Sequence, residues 1–520
     1  MPPGAPSSTE GTPFNLATFL LRSGIAPPHA AALVTPEGVT TRAQLTSQVD
    51  ALSAWLAARG VAPGDRVVLA LPDGPEWVAS FLAIVRIGAV AALIADSLDP
   101  SRATDLVSRA TPALVLSHRS DLGTPAVPLE DISCQMGDPA EGQGPQGVRP
   151  PRGSDPSSNG ARTVSGDACY LLATSGSTGP SKWVVHRHRD IAACIATFGR
   201  SVMRLGPGDV TWGVSSLATS YGLGNSLYFP LGGGAAAWLG GPHDPAGLAT
   251  ACRDGGVTAV YGVPTFWARL ARHCREGRVD PADLARVVHA GSAGENLPGP
   301  VWQAVARDAG IRIANGLGSS ELTNMYLSDR PHAPRPGTVG WPVPGYEVQI
   351  DGRRALPGDA GELWVRGPTM FAGYLGDPAA TDALLRDGWF RTGDRVRMEA
   401  DRSYTFLGRM GDVLKVGGLW VDPARVQDVL LGDPAVADAV VVAAPDADDV
   451  QRLVAVVGSS APAAEVLPRL HAHMAAALDR HTIPRAVVVV EHLPVTPSGK
   501  VRRDLVMQMA RDGLARGEAA

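Results

Sequence analysis

The sequence has few cysteines, and they follow no pattern. None of the five stands at the spacing of a metal-binding motif: Cys134, Cys169, Cys194, Cys252 and Cys274. An odd, dispersed set of cysteines is typical of reduced thiols, which persist in the cytoplasm rather than in secreted proteins. We therefore expect a cytoplasmic protein without a cysteine-based metal centre.

The chain also lacks a strong net charge and a long apolar run. Lys and Arg number 46 and Asp and Glu 51, a formal net charge of −5, so neither nucleic acid nor an anionic membrane is expected as a partner. The longest apolar stretch, 81–95, is interrupted by Arg86 and Gly88 and is too short to cross a bilayer. The polar N-terminus has no apolar region of the kind found in signal peptides.

Alternating strand and helix patterns fill the first 330 or so residues. Residues 40–59, for example, repeat leucine and valine at helical spacing, and Thr41 with Gln44 forms a capping box. Such alternation predicts parallel βαβ units. Residues 338–406 instead read as short strands joined by turns, and a new α+β unit begins near 408. We predict an α/β fold with a large N-terminal domain, 1–407, of two α/β layered subdomains plus a β-rich subdomain, and a small C-terminal domain, 408–520.

One segment stands out as a candidate phosphate site. Residues 170–186 read YLLATSGSTGPSKWVVH, a short apolar run that passes abruptly into hydroxyl residues, glycines and one lysine. Glycine lets the backbone approach an anion, the hydroxyl and N–H groups donate hydrogen bonds, and the lysine supplies charge. On its own this segment is equally consistent with a flexible surface turn. The candidate phosphate-binding residues are Thr174, Ser175, Gly176, Ser177, Thr178, Gly179 and Lys182.

Five further segments accompany this loop along the chain. They read HAGSAGENLP (289–298), NGLGSSELTNMY (315–326), GWFRTGD (388–394), GRMGDVLKVGGLWV (408–421) and LPVTPSGKVRRDLV (493–506). In this order and spacing the six segments resemble the adenylate-forming superfamily, which includes acyl-CoA synthetases, peptide-synthetase adenylation domains and luciferases. Within it the closest likeness is to benzoate-CoA ligase and related aryl-CoA ligases, carried by SYGLGNSLYFPL (220–231) and LKVGGLWVDP (414–423).

The resemblance implies a two-step reaction. A carboxylate attacks the α-phosphorus of ATP in the presence of Mg²⁺, which gives an acyl-adenylate and pyrophosphate. The thiol of coenzyme A then displaces AMP, and the small C-terminal domain rotates between the two steps. Three alternatives stay open: transfer of the aryl group to the phosphopantetheine of an acyl carrier protein, a binding protein that keeps the fold without the chemistry, and adenylation of another oxyanion without a thiol step. A homodimer is possible, because dimers are frequent among relatives.

The resemblance also assigns roles to particular residues. Lys500 matches the adenylation lysine, although read alone it is an exposed tail lysine, and Glu321 matches the acid that holds Mg²⁺. Ser320 stands where a hydroxyl donates to phosphate, with a helix N-cap as the alternative role. Asp394 matches the carboxylate that accepts both ribose hydroxyls, and Arg409 a nucleotide contact. The predicted residues of the adenine pocket are Gly294, Glu295, Asn315, Gly316 and Leu317. The predicted residues of the pantetheine tunnel are Gly417 and Gly418.

The acid substrate is expected to lie against a set of small and polar residues: Tyr221, Gly222, Thr219, Gly318, Asn324 and Met325. Polar walls would suit a ring with an amino or hydroxyl group, so anthranilate or a hydroxybenzoate is the expected substrate. Alternatively, Thr219, Ser220 and Asn324 bond only to backbone. Two departures from the pattern affect mobility. Trp183 replaces a glycine after the loop lysine and is expected to stiffen or cover the loop, and Gly411 replaces an acidic hinge residue.

Overall fold

The structure is a computed structural model, and it describes residues 11–21, 26–122, 127, 163–174, 181–330, 333–410, 414–416, 419–421, 423–446, 450–494 and 501–516. Several predicted site residues lie outside these ranges: Ser175, Gly176, Ser177, Thr178, Gly179, Gly417, Gly418 and Lys500. The hinge residue Gly411 lies outside them as well.

The described part of the chain contains 25 strands. They are β1 (Ala31–Thr35), β2 (Gly38–Thr41), β3 (Arg66–Ala70), β4 (Val90–Leu93), β5 (Leu114–Ser117), β6 (Ala168–Ala173), β7 (Trp183–Arg187), β8 (Val210–Gly213), β9 (Ala236–Trp238), β10 (Ala259–Gly262), β11 (His289–Ser292), β12 (Ala314–Gly318), β13 (Met325–Ser328), β14 (Trp341–Pro342), β15 (Glu347–Ile350), β16 (Ala360–Arg366), β17 (Gly373–Tyr374), β18 (Leu385–Arg386), β19 (Trp389–Met398), β20 (Tyr404–Arg409), β21 (Leu414–Val416), β22 (Leu419–Val421), β23 (Val436–Pro445), β24 (Gln451–Ser459) and β25 (Ala486–Val490).

The α-helices alternate with these strands as the sequence pattern predicts. They are α1 (Leu16–Leu21), α2 (Arg42–Ala58), α3 (Pro75–Arg86), α4 (Pro100–Ala110), α5 (His188–Cys194), α6 (Ser220–Leu223), α7 (Phe229–Gly233), α8 (Pro245–Gly255), α9 (Pro264–Arg275), α10 (Gly299–Asp308), α11 (Pro378–Leu384), α12 (Pro423–Leu430), α13 (Ala463–Ala477) and α14 (Arg503–Arg516). π-helical segments follow α5 and α6, at Ile195–Met203 and Gly224–Tyr228. The predicted capping box of Thr41 and Gln44 is present at the start of α2.

Two large sheets form the N-terminal domain. The first has the order β17-β7-β6-β4-β3-β5, and the second β14-β13-β12-β11-β10-β8-β9-β1-β2. Both are parallel in their centres, which confirms the predicted βαβ units, and each ends in antiparallel strands. Helix α3 is buried from Trp77 to Arg86, because it lies in the main core together with α1 and α2.

A third, antiparallel sheet and a separate C-terminal unit complete the fold. The third sheet has the order β15-β16-β19-β18 with β20 on β19, which matches the predicted β-rich subdomain. Strand β20 crosses the predicted boundary at 407, because Arg409 still pairs with Asp394. The C-terminal unit contains the hairpin β21–β22 and the sheet β23-β24-β25, packed on α12, α13 and α14.

Local boundaries differ from the predictions in two places. The sequence pattern over 189–203 favours one helix, whereas the structure becomes π-helical from Ile195 onward. The apolar residues in 311–314 favour a strand there, whereas β12 lies at 314–318, where the glycine-rich NGLG segment gains pairing partners in β11 and β13. In the described ranges, no helix combines the length and apolarity needed to span a membrane.

Candidate active site

A tight turn after β12 presents Glu321. Residues Ser320–Leu322 form one turn of 3-10 helix, and Thr323 follows with φ of 67°, an uncommon left-handed conformation for a β-branched residue. The Oε1 atom of Glu321 accepts a hydrogen bond from the Tyr374 hydroxyl at 2.8 Å. Among the described residues, Oε2 has no hydrogen-bond partner, so this carboxylate can take a cation or a donor from a ligand.

The ends of the predicted phosphate loop are held together by two hydrogen bonds. Thr174 donates its backbone N–H to the carbonyl of Lys182 at 2.9 Å, and its hydroxyl accepts from the Lys182 N–H at 2.9 Å. The Lys182 ammonium lies 5.0 Å from the centre of the Tyr374 ring and 3.5 Å from an Asp377 carboxylate oxygen. Tyr374 therefore connects the loop lysine with Glu321, although the two charged residues are far apart in the sequence.

Asp394 is a buried carboxylate beside the same space. It lies on β19, is 2% exposed, accepts from the Tyr326 hydroxyl at 3.0 Å and pairs with the Arg409 guanidinium at 3.1 Å. Burial raises the pKa of Asp394 to about 6, while Arg409 and the Tyr326 hydroxyl act to lower it. Glu321 is close enough to contribute to the rise in the pKa of Asp394. The two carboxylates therefore belong to one electrostatic site.

The predicted adenine-pocket residues come together at the carboxyl ends of two adjacent parallel strands. Strands β11 and β12 pair with Ser292 opposite Asn315, and Gly294 and Glu295 follow β11 directly. Gly294 has φ of 88°, which favours glycine. Asn315 donates its side-chain amide to the carbonyl of Thr338 at 2.9 Å, whereas its Oδ1 atom is buried without a partner among the described residues. Gly316 and Leu317 continue along β12.

The C-terminal domain reaches this site through Val501. The backbone N–H of Val501 donates to Oε1 of Glu295 at 3.2 Å. Lys500 precedes Val501 in the chain, so its backbone is attached directly to a residue that contacts the predicted adenine pocket. Helix α9 of the large domain also contacts β23 of the small domain.

The predicted acid pocket is bounded by Tyr221 and several glycines. The Tyr221 hydroxyl donates to the carbonyl of Gly262 at 3.3 Å, and its ring meets Tyr261 edge-on at 6.4 Å. A Cβ atom at Gly318 would lie 2.5 Å from the carbonyl oxygen of Asn324, so only glycine fits there. A Cβ atom at Gly316 would similarly lie 2.6 Å from the sulfur of Met325. These two glycines therefore let β12 pack directly against Asn324 and Met325 beside the predicted acid pocket.

The polar residues predicted to face the substrate have partners within the protein. Thr219 caps α6, accepting from the Gly222 N–H at 3.1 Å and donating to the Ser216 carbonyl at 2.8 Å. Asn324 donates to the Ser220 carbonyl at 3.1 Å and the Tyr228 hydroxyl at 3.2 Å, and its Oδ1 accepts from the Met325 N–H at 3.0 Å. Because local bonding occupies these groups, the geometry favours the alternative in which they do not read the ring substituent.

Asn225 is a pocket candidate that the sequence reasoning missed. It is 1% exposed, lies beside the Tyr221 side chain, and neither of its amide atoms has a hydrogen-bond partner of normal geometry among the described residues. Apart from its interaction with Tyr221, this buried amide is poorly satisfied, which is costly, so a ligand or water is expected to complete its hydrogen bonds. The signal was available in the sequence, since Asn225 is a polar residue inside the otherwise apolar and glycine-rich run YGLGNSLYF.

Two expectations concern the phosphate loop and the Glu321 turn. The Trp183 indole is buried in the core beside β6 and α4 and donates to the Leu106 carbonyl at 3.1 Å, so it is not available to cover the loop, whereas the expected stiffening stays a prediction. Ser320 is not an N-cap, because Ser319 occupies the N-cap position and makes no side-chain cap bond. Ser320 therefore keeps its hydroxyl available for another role.

Comparison with known families agrees with this arrangement. The profile of the AMP-binding enzyme family matches residues 22–375, and the profile of the AMP-binding enzyme C-terminal domain matches residues 425–500. The chain belongs to the AMP-binding enzyme family. The resemblance drawn from the six sequence segments is thereby confirmed.

Individual members of the family align along most of the chain. It is 34% identical over 475 residues to p-hydroxybenzoic acid–AMP ligase FadD22 of Mycobacterium tuberculosis, which covers 89% of this chain and 64% of that protein. It is 33% identical to benzoate–CoA ligase of Thauera aromatica, with 87% of each chain covered. The structure of anthranilate CoA ligase AuaEII in complex with anthranoyl-AMP superposes with a TM-score of 0.86 at 26% identity, covering 97% of this chain and 98% of that one. The chain spans less than two thirds of the length of FadD22.

Three supporting residues of this AMP-binding enzyme were absent from the sequence prediction. The Tyr374 hydroxyl donates a hydrogen bond to Glu321, and the Tyr326 hydroxyl donates one to Asp394. His186 contacts the carbonyl of Ser320. Tyr374 and His186 lie in segments distant from the carboxylates' own motifs, so only the folded chain reveals these contacts. Tyr326 stands within the motif segment NGLGSSELTNMY, where its aromatic character was the available signal.

Proposed function

We propose that this protein is an ATP-dependent aryl-CoA ligase. It joins the carboxylate of a small aromatic acid to AMP with release of pyrophosphate. It then transfers the acyl group to the thiol of coenzyme A with release of AMP. The observation that carries the proposal is the convergence of Lys182, Glu321 and Asp394, from three separate segments, on one space bordered by the predicted adenine and acid pockets.

Each charged group suits one part of the first step. Lys182 and the phosphate loop hold the β- and γ-phosphates, and Asp394 accepts the ribose hydroxyls. Lys500 approaches the α-phosphate, where negative charge accumulates as the acid attacks, and removing a donor of this kind costs about 3–4 kcal/mol of transition-state stabilisation. The contact between Val501 and Glu295 supports this role, because it holds the neighbour of Lys500 against the nucleotide side of the site.

Glu321 is the proposed protein ligand of Mg²⁺. Its Oε1 is bonded to Tyr374 while Oε2 has no partner in the described residues, and an ionised carboxylate oxygen is a preferred ligand of this ion. Bound there, Mg²⁺ would neutralise phosphate charge. Within the described chain, no cluster of three His, Cys, Asp or Glu side chains could hold a metal ion without further ligands. The remaining ligands in the proposal are phosphate oxygens and water.

A small aromatic ring suits the acid pocket. Tyr221 and Tyr261 meet edge-on and would give the pocket an aromatic wall, which suits a flat ring. The names of relatives support the same class of acid, since they include benzoate–CoA ligase, anthranilate–CoA ligase and p-hydroxybenzoic acid–AMP ligase. We infer that the substrate is a benzoate, unsubstituted or bearing one hydroxyl or amino group.

A panel of acids tests the proposal. Benzoate, 2-aminobenzoate, the three hydroxybenzoates and octanoate are each incubated with protein, MgATP and coenzyme A, and AMP, pyrophosphate and thioester are quantified. We expect at least one benzoate to give all three products in equal amounts. Preference for octanoate would contradict the pocket assignment. Accumulation of acyl-AMP that coenzyme A does not discharge, but a phosphopantetheinylated carrier protein does, would assign the carrier protein as the acceptor.

A further inference from the structure

The turn that carries Glu321 is held at three successive carbonyl groups. The carbonyl of Ser320 contacts Nε2 of His186 at 2.6 Å. The carbonyl of Glu321 accepts the Phe371 N–H at 2.8 Å, and the carbonyl of Leu322 accepts the Thr369 hydroxyl at 2.7 Å. Two of these bonds come from the segment before β17, and only the first comes from β7.

Several contacts hold the His186 side chain in one orientation. Its side chain is fully buried and its ring stacks on Tyr170, with centroids 4.9 Å apart and planes 17° apart. Nδ1 lies 3.4 Å from Oδ2 of Asp190 and 3.3 Å from the Thr323 hydroxyl. Asp190 is itself held by the N–H of Arg187 at 2.9 Å.

The partner of Nε2 defines the proton position. A carbonyl oxygen can only accept, so Nε2 of His186 must carry a hydrogen and donate it to Ser320. A donor–acceptor distance of 2.6 Å is at the short end for such a bond. The buried imidazole therefore holds the peptide group between Ser320 and Glu321 in one position through this hydrogen bond.

Strand β7 connects the His186 hydrogen bond with the phosphate loop. Lys182 immediately precedes β7 and His186 lies on it. The same strand therefore positions both the end of the phosphate loop and the side chain that bonds to the Glu321 turn. The bonds between β6 and β7, with Leu171 opposite Val185 and Leu172 opposite Val184, keep this strand in register.

We propose that His186 is a positioning residue for the metal-binding turn: its Nε2–H holds the Ser320 carbonyl, and thereby orients the Glu321 carboxylate toward the metal position beside the phosphates. The inference rests on the proposed role of Glu321 in holding Mg²⁺. His186 touches neither substrate nor metal in this scheme. Its effect is to reduce the freedom of the turn, which follows a strand of one large sheet and is held by a side chain from the other.

Two substitutions distinguish the effect of the His186 hydrogen-bond donor from the effect of its aromatic ring. H186F keeps an aromatic ring for stacking on Tyr170 but cannot donate, whereas H186Q places an amide N–H near the position of Nε2. H186F would leave the Ser320 carbonyl with only the longer hydrogen bond from the Thr323 N–H, at 3.3 Å. Losing the shorter bond to a buried group changes affinity or rate about tenfold. We expect H186F to raise the Mg²⁺ concentration for half-maximal pyrophosphate release at least tenfold, with the KM for the aromatic acid within threefold of wild type. H186Q should recover most of the difference.

His188 provides the matched control. It is buried two residues along, but its Nδ1 accepts the N–H of Leu16 instead of contacting the site. H188Q should change thermal stability without changing the Mg²⁺ requirement. An H186F protein that is less stable yet has wild-type Mg²⁺ dependence would show that His186 is only a packing residue, and the proposal would fail.

Calorimetric titration of ATP keeps this test separate from the proposed activity. Titrations with and without Mg²⁺ need no acid substrate, so they remain informative even if no aromatic acid is turned over. We expect H186F to weaken ATP binding in the presence of Mg²⁺ about tenfold and to leave metal-free binding unchanged. Equal weakening in both conditions would overturn the positioning role, whereas absence of turnover in wild type would overturn the proposed function alone.

Discussion

The backbone N–H of Val501 bonds to the side-chain carboxylate of Glu295, at 3.2 Å, across the boundary between the large and small domains. Glu295 follows β11 in the large domain, and Val501 precedes α14 in the small one. This hydrogen bond joins the chain segment of Lys500 to the predicted adenine pocket.

Removal of the Lys500 side chain should separate the two steps. In Lys500→Ala we expect acid-dependent exchange of pyrophosphate into ATP to fall about a hundredfold or more, because the fixed cation at the α-phosphate is lost. Transfer from chemically prepared acyl-AMP to coenzyme A should stay within about fivefold of wild type. Arg502→Ala is the control, since Arg502 is paired with the exposed Asp504 and should leave both rates unchanged. Near-wild-type exchange in Lys500→Ala would remove the lysine from the mechanism.

Asp394 should make ATP binding sensitive to pH. Burial raises the pKa of Asp394 to about 6, from an ordinary value of 3.8, and only the ionised form can accept both ribose hydroxyls. A raised pKa means that the proton is taken up as pH falls through about 6, so the KM for ATP should rise below that pH and stay constant above about 7. The slope should approach tenfold per pH unit.

Initial-rate measurements from pH 5 to 8 test this dependence. Asp394→Asn should bind ATP weakly throughout and should show no inflection near pH 6. An inflection that persists in this variant would assign the titration to another group. The sign also applies to folding: because the folded form takes up a proton that the unfolded form does not, Asp394 lowers stability as pH rises from about 4 to about 6.

Asn225 should discriminate between substituted and unsubstituted acids. Beyond its interaction with Tyr221, its amide can bond to a hydroxyl or amino group on the ring, whereas benzoate has neither. In Asn225→Leu we expect kcat/KM to fall at least tenfold for the preferred substituted acid and to stay within threefold for benzoate. Asn324→Leu is the comparison, because Asn324 is bonded within the protein and should affect all acids alike. Equal losses for all acids in Asn225→Leu would make it a packing residue.

Trp183 should contribute to stability more than to chemistry. Its indole is 2% exposed and bonded to the Leu106 carbonyl, so Trp183→Gly should lower the free energy of unfolding by about 3–5 kcal/mol. Trp183→Phe retains much of the packing and should cost less. Urea denaturation gives both values, and the KM for ATP of the folded protein should change little in Trp183→Phe. A large change in that KM would show that the indole does govern the loop.

Most of the architecture was readable from the chain itself. The spacing of apolar residues and the capping residues Thr41 and Gln44 predicted helices and parallel strands, because conformational preference and burial depend on the local sequence. The six motif segments likewise located Glu321, Asp394 and Arg409, since backbone approach, charge and hydroxyl donors are properties of short stretches. Element ends were less accurate at β12, where pairing with β11 and β13 outweighs the weak strand propensity of its glycines.

What the sequence by itself determined was therefore the class of fold and the identity of the charged groups. Only the tertiary structure decided which of them are supported, and by what. Tyr374 reaches Glu321 from another sheet, and Asn324 is bonded to Ser220 and Tyr228 rather than to a substrate. The Trp183 indole lies in the core, where it is bonded to the Leu106 carbonyl. The direction of a side chain and the occupation of its polar atoms depend on neighbours distant in the chain, which no local pattern encodes.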